Sequence, residues 1–238
     1  MIWRNYILAA LTICVACETS VAIAQAPARV GEAAVVQNEV VRVSGSGGTQ
    51  INVGDAVLRN ETVRTGSASA TRLVMIDSTN LSLGANSSIT LDRTVFNDEQ
   101  SYKDVTIRMT TGAFRFVTGH SDKNAYKITT GLATIGIRGT ILDILAQRGR
   151  TMVVLQSGGS RVCTLSFQCI ELTEPGDTAI ITSSANGRVT IQKTNNPPWT
   201  FASNCAAAAG LCTTTEFAGT PTITPATIED PNGVLCGK

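Results

Sequence analysis

The sequence predicts an all-β protein built from many short strands. Three observations carry this. Apolar and polar residues alternate in run after run: Val105, Ile107 and Met109 with Thr106, Arg108 and Thr110, the period-2 pattern of a strand buried on one face. Leu81 and Leu83, Ile89 and Leu91, and Phe114 and Phe116 repeat it. No proline falls between Pro27 and Pro175, which suits continuous pairing because proline removes a ladder donor. No stretch after the first 24 residues sustains a 3.6-residue period. Short, glycine-punctuated strands of this kind suit a β-sandwich and a β-solenoid alike.

Residues 1–24 read as a signal peptide. Arg4 gives a positive start, Tyr6 to Ala16 is an uncharged apolar core, and Ala22-Ile23-Ala24 is a small-x-small cleavage site before Gln25. The core is shorter than the span of about 20 residues that crosses a bilayer, and no later segment reaches that length. The expected product is periplasmic or secreted. The alternative is a lipoprotein anchored through Cys17 in Val15-Ala16-Cys17, although Cys14 stands where leucine is usual.

Residues 25–49 are a lead-in, with a short strand candidate at Glu39 to Val43 and a flexible Ser44-Gly45-Ser46-Gly47-Gly48 loop. Residues 50–193 hold the regular strands. Met152-Val153-Val154-Leu155 is apolar on both faces, so it is expected to be central and covered. Thr140 to Gln147 is the nearest helix candidate, but its β-branched surroundings favour a strand. Residues 194–238 form a cysteine-containing tail of low complexity. Asn195-Asn196-Pro197-Pro198 breaks the sheet pattern, and the Thr/Pro-rich stretch Thr213 to Thr227 lacks apolar content for a core.

Net charge is +1, which gives no support for nucleic-acid binding. Five cysteines follow the signal segment: Cys163, Cys169, Cys205, Cys212 and Cys236. In an exported chain they read as disulfides. Cys163 and Cys169 flank a segment short enough for a hairpin, and Cys205 and Cys212 close a similar loop. Cys236 is then left over or exchanges in. The spacings are wider than zinc sites use and the one histidine, His120, is remote in sequence, so no metal and no cofactor are expected.

Enzymology has little to work with. His120 sits in the turn-like Gly119-His120-Ser121-Asp122, and sequence neighbours rarely form a triad. Carboxylate pairs such as Asp77 with Asp143, or Asp92 with Asp98 and Glu99, would serve a glycosidase only if folding set them about 5–9.5 Å apart across a sugar. Aromatics are 5% of residues, too few for a sugar platform. A carbohydrate-active enzyme is therefore the last alternative.

One segment is more informative. In Ile135-Gly136-Ile137-Arg138-Gly139-Thr140 the two isoleucines share a strand face and Arg138 falls on the other, just before a glycine and a β-branched threonine. This strand resembles the central signature of the FecR domain. Around it, Val53-Gly54-Asp55 and Val63-Arg64-Thr65-Gly66 resemble the family's opening turns. Ala70 to Leu83 resembles its strand, Asp-Gly-Ser turn and strand, with Asp77 in the turn and Ser78 where glycine is usual. Thr111 to Phe116, Tyr126 to Thr130 and Thr151 to Gly158 resemble the flanking strands, so the likeness runs from about Val53 to Gly176, half the chain.

The resemblance implies a solenoid-like winding rather than a sandwich. It also implies a non-enzymatic binding or signalling module whose partner is an unidentified envelope protein. Family sensors receive a signal from an outer-membrane receptor and pass it to a sigma-factor regulator. This sequence shows neither an N-terminal regulator domain nor a membrane helix, so the expected role is that of a soluble partner or envelope component. A structural or glycan-binding envelope protein is the alternative. Arg138 is expected to lock neighbouring strands by pairing with a carboxylate or carbonyls; the alternative is contact with a partner. Asp77 is expected to cap its turn.

Overall fold

The computed structural model of the chain describes residues 28–44, 47–96 and 101–204. The signal segment with Cys17, the acids Asp98 and Glu99, the pair Cys205 and Cys212, Cys236 and the Thr/Pro-rich stretch lie outside the described residues.

The described residues form strands joined by turns, with no α-helix among them. In chain order these are β1 (Arg29–Gln37), β2 (Val40–Ser44), β3 (Gly47–Gln50), β4 (Ala56–Leu58), β5 (Thr62–Thr65), β6 (Ala70–Met75), β7 (Asn80–Leu83), β8 (Ser88–Phe96) and β9 (Tyr102–Val117). They continue with β10 (Tyr126–Thr129), β11 (Ala133–Ile137), β12 (Ile141–Gln147), β13 (Arg150–Ser157), β14 (Ser160–Thr164), β15 (Cys169–Leu172), β16 (Thr178–Ser183) and β17 (Val189–Thr194). A single 3-10 turn, Phe201–Asn204, follows. The all-β class expected from the alternation is what the described residues adopt, and the helix candidate at 140–147 holds strand β12.

All strands belong to one hydrogen-bonded network, and β9 divides it in two. Sheet 1 runs β4-β1-β6-β7-β9-β12-β13-β16-β17. Sheet 2 runs β3-β2-β5-β8-β9-β10-β11-β14-β15. Tyr102 to Thr111 of β9 pair in sheet 2, whereas Gly112 to Val117 pair in sheet 1. The switch needs glycine: Gly112 has φ +113°, and a Cβ there would lie 2.4 Å from the Cα of Ser87. Ser87 braces the switch, its Oγ accepting from the Ala113 amide at 3.1 Å. Paired strands are antiparallel except β9 and β10.

The chain alternates between the two sheets as it advances. Both sheets supply one core. Leu73, Leu81, Phe114, Phe116, Leu142 and Val153 come from sheet 1, and Val63, Ile89, Ile107, Ile128, Ile135 and Val162 from sheet 2, all fully buried. Each such side chain contributes about 1.5–3 kcal/mol by leaving water. The lead-in is part of this unit. Residues 29–37 form β1 between β4 and β6, and Val30, Ala33 and Val40 enter the core.

A smaller cluster covers the other side of sheet 1. Ala70, Ala113, Leu145, Met152 and Phe201 are buried there, with Val35, Ile180 and Trp199 against them. The segment after β17 therefore folds back on the sheet, and the packed unit continues past residue 193. This is why Met152 to Leu155 is apolar on both faces: Val153 and Leu155 face the main core and Met152 faces this cluster.

Candidate functional site

The Ile135–Thr140 segment carries the chain from sheet 2 into sheet 1. Ile135 and Ile137 of β11 point into the core, while Gly136 lies on the outer face between Lys127 and Arg161. β11 ends at Ile137, and Arg138 and Gly139 form a bend, Gly139 with φ +64°. A second crossing, from β13 to β14, lies against the first. The Arg138 amide donates to the Gly159 carbonyl at 3.1 Å. A Cβ on Gly158 would lie 2.0 Å from the Gly139 carbonyl oxygen, so only glycine fits. Thr140 bolts the crossings together. Its hydroxyl donates to the Ser157 carbonyl at 2.6 Å and its amide to Thr118 Oγ1 at 2.9 Å.

Arg138 does not pair as a sheet arginine would. It is exposed, outside the strand, and its side chain makes no ion pair or hydrogen bond among the described residues. The strand-locking expectation is corrected on that ground. Locking at this crossing comes from backbone and threonine bonds instead.

The buried arginine is Arg115. Its Nε and second guanidinium nitrogen donate to the two Asp143 carboxylate oxygens at 2.6 and 2.8 Å, a bidentate pair with side chains 4% and 0% exposed. Cross-strand register places them side by side on the outer face of sheet 1. Gln156 Nε2 donates to the same carboxylate at 3.0 Å, and the Phe201 ring lies 5.3 Å from the Arg115 guanidinium carbon.

Asp77 is held without an arginine. Its side chain is buried; Oδ1 accepts from the Thr79 amide and Oδ2 from the Thr79 hydroxyl, both at 3.0 Å. The Tyr126 hydroxyl lies 2.8 Å from both oxygens. The result is an Asx-type turn, closed by Ser78 in the left-handed region at φ +65°. Burial, followed by the negative Asp77, pushes the Tyr126 phenol well above its ordinary value. Tyr102, which donates to the Val30 carbonyl, is also pushed up, by burial first and then by Asp77, against a bond from the Ile76 amide. The Asp77 carbonyl accepts the His120 amide at 2.8 Å, so this histidine ties loop to turn. Ser121 is engaged elsewhere, its Oγ accepting from the Tyr102 amide at 2.8 Å. Asp77 and Asp143 thus each sit in a closed, separate set of bonds, and Asp92 pairs with Arg108 at 2.6 Å on the surface.

The outer face of sheet 2 is left uncovered by the described residues. Thr62, Thr90, Arg108, Thr129, Thr134 and Cys163 stand in one cross-strand row, and Thr106, Lys127, Gly136, Arg161 and Glu171 in the next. Arg64, Arg108, Lys127 and Arg161 are exposed. Arg161 has a loose partner in Glu171 at 3.5 Å, whereas Arg64 and Lys127 have no ion pair among the described residues. The row ends in a disulfide, Cys163 to Cys169, closing the β14–β15 hairpin. Among the described residues no group of three His, Cys, Asp or Glu is placed to hold a metal.

Sequence reasoning missed three features: the Arg115–Asp143 pair, the tyrosines around Asp77, and the docking of Phe201. One signal was present for the first. Arg115 stands between Phe114 and Phe116, and Asp143 inside the apolar run Ile141 to Ala146. Charges so enclosed mark an outward face that is itself covered.

Residues 61–159 match a family model described as FecR protein. No curated protein matches the chain. Two solved structures similar to it are both described as a "putative anti-sigma factor from Parabacteroides distasonis ATCC 8503", at 2.50 and 1.65 Å resolution. Each is 17% identical, with TM-scores of 0.47 and 0.46. The alignments cover 57% of this chain and 59% of those chains, so less than two thirds of their length is spanned.

Proposed function

We propose, from the FecR domain that the chain carries over residues 61–159, that this is an exported, non-enzymatic signalling or envelope-associated module acting through protein–protein contacts. The observation that supports this most is the open outer face of sheet 2. It carries the outward side of the signature strand, and beside that strand Lys127 and Arg138 have no carboxylate partner among the described residues. A face of hydroxyls and uncompensated cations complements a partner surface bearing carboxylates, which arginine contacts through its planar fork.

The test is site-specific photo-crosslinking in the producing cell, from positions 127, 138 and 161 on this side and from Thr182 in sheet 1. One defined envelope protein, captured from the first set and not from Thr182, is the expected result. Capture from Thr182 alone would overturn the assignment of the face. Export is tested by intact mass: a chain beginning at Gln25 is expected, and acylation at Cys17 would make it membrane-anchored.

One observation favours a second reading, glycan binding. Thr62, Arg64, Ser88, Thr110 and Thr111 line a depression at one end of the same face. Hydroxyls and a cation there match a sugar carrying a carboxylate. Binding on a glycan array that Arg64→Ala abolishes would establish this reading in place of the first.

A further inference from the structure

The four turns at the C-terminal end of the molecule differ in chemistry from the rest of the surface. Only three large hydrophobic side chains are strongly exposed among the described residues, and two of them, Leu165 at 62% and Phe167 at 89%, share the tip of the β14–β15 hairpin. Three other turns surround that tip. Ala133, ending the β10–β11 turn, pairs with Thr164. Thr130 of that turn meets Thr151, next to the β12–β13 turn, hydroxyl to hydroxyl at 3.2 Å. The Gly149 carbonyl of the β12–β13 turn accepts the Ser183 amide at 2.9 Å, which brings in the β16–β17 turn. Leu165, Gln168, Arg188 and Val189 line one depression, which closes the circle.

Arg148, Arg150 and Arg188 project from these turns and are exposed, and none has an ion pair among the described residues. No aspartate or glutamate occurs in residues 130–133, 147–150, 164–168 or 184–189. A chain with nearly equal numbers of acids and bases therefore concentrates base and apolar surface at one end.

The tip is also held rigid. The Cys163–Cys169 bond closes it. Within it, the Thr164 amide donates to the Gln168 carbonyl at 2.8 Å and the Phe167 amide to the Thr164 carbonyl at 3.0 Å. The Gln168 amide donates to Thr164 Oγ1 at 3.1 Å. Phe167 is kept at φ +63°, a region that bulky side chains avoid. Such a conformation persists only where the surroundings over-determine it, and it marks functional positions more often than others.

We propose that this end is a peripheral membrane-contact site for anionic lipid, with Phe167 and Leu165 entering the acyl boundary and Arg148, Arg150 and Arg188 meeting the headgroups. The chemistry fits in both parts. An interfacial contact combines a small apolar insertion with cations around it. An anionic leaflet rewards each nearby basic residue. A hairpin tip with Leu165 and Phe167 exposed presents its apolar side chains outward and needs no complementary socket. A tip already fixed by a disulfide avoids the ordering cost that a mobile loop would incur on binding.

The experiment is flotation of the exported chain, beginning at Gln25, with vesicles of phosphatidylcholine containing about one quarter phosphatidylglycerol, and with phosphatidylcholine alone. Phe167→Asn is the central variant, because asparagine tolerates the left-handed region, and its thermal transition is expected to match or exceed the parent's. Partition to the anionic vesicles should fall roughly tenfold in Phe167→Asn and about fivefold for each of Arg148→Ala, Arg150→Ala and Arg188→Ala. Added salt should weaken the parent's binding. Equal partition of parent and Phe167→Asn would overturn the proposal, as would equal binding to neutral and anionic vesicles. Loss of a protein cross-link in Phe167→Asn with vesicle partition unchanged would overturn it in favour of a protein socket.

Discussion

The outer faces of the two sheets solve the same problem in opposite ways. Each lies on the far side of a shared core, and each presents an arginine among β-branched and small residues. On sheet 1 the face is closed: Trp199 and Phe201 fold over it, and Arg115 is buried beneath with Asp143 as its bidentate partner. On sheet 2 the described residues leave the face open, and among them Lys127, Arg161 and the neighbouring Arg138 are exposed. The difference shows what a cation in a strand means. Under cover it is a structural commitment that requires a carboxylate, because a buried charge without a partner is very costly. In the open it is nearly free of structural consequence and available for contacts.

The largest effect expected from this contrast comes from breaking the covered pair. Arg115→Ala leaves Asp143 buried with Gln156 as its remaining side-chain partner and removes the cation beneath Phe201. A loss of about 3–5 kcal/mol is expected, read from the midpoint and slope of denaturant unfolding. The double variant Arg115→Met with Asp143→Leu is expected to recover most of it, because apolar replacement of a buried pair is often neutral or stabilising. If Arg115→Ala costs no more than a surface substitution, the cover over sheet 1 is not a stable part of the fold.

How much of this was legible follows from the same contrast. Alternation shows which residues of a strand point away from the core, and it places Val105, Ile107, Met109, Ile135 and Ile137 inward, as the structure does. It does not show whether the other side meets water. That depends on where a distant segment lands, and Asn195-Asn196-Pro197-Pro198 gives residues 199–201 the appearance of a tail. Trp199 and Phe201 are the available clue, two aromatics in an otherwise polar stretch of a chain poor in aromatics. Arg138 misleads for a related reason. Its position after Ile137 suggests a strand, but the strand stops at Ile137, and Arg138 and Gly139 form the bend that carries the chain into sheet 1. Arg115 has phenylalanine on both sides and no glycine to release it. The Asp77 turn is readable locally, because aspartate accepts bonds from a residue two positions on. Its partner Tyr126 is not, since that contact spans 49 positions.

The interior between the two faces supplies a smaller and pH-dependent effect. Tyr102 and Tyr126 have folded-state pKa values raised above the ordinary phenol value, chiefly by burial. Below about pH 10 both folded and unfolded chains keep these protons, so the contribution is complete. Above it the unfolded chain releases protons that the folded chain retains, and stability falls as pH rises. Tyrosinate absorbance of these two residues should therefore appear together with loss of β circular dichroism, not before it. Ionisation of both in a still-folded protein would mean that the core reaches solvent between the faces.

The smallest structural effect is expected at Arg138. Its guanidinium has no partner among the described residues, and its backbone bond to Gly159 survives any side-chain change. Arg138→Ala should therefore shift stability by no more than about 0.5 kcal/mol, the range of an unpaired surface site. Gly158→Val is the control from the same crossing. It forces a side chain against the Gly139 carbonyl and should unfold the protein or lower its midpoint strongly. On the reading proposed for the open face, Arg138→Ala keeps the parent's melting curve while cross-linking from position 127 to the partner weakens. A stability loss comparable to that of Arg115→Ala would place Arg138 among the structural arginines and remove the principal distinction between the two faces. An unchanged melt with unchanged cross-linking would keep the face open but take Arg138 out of the contact, leaving Lys127 and Arg161 as the cations that meet the partner.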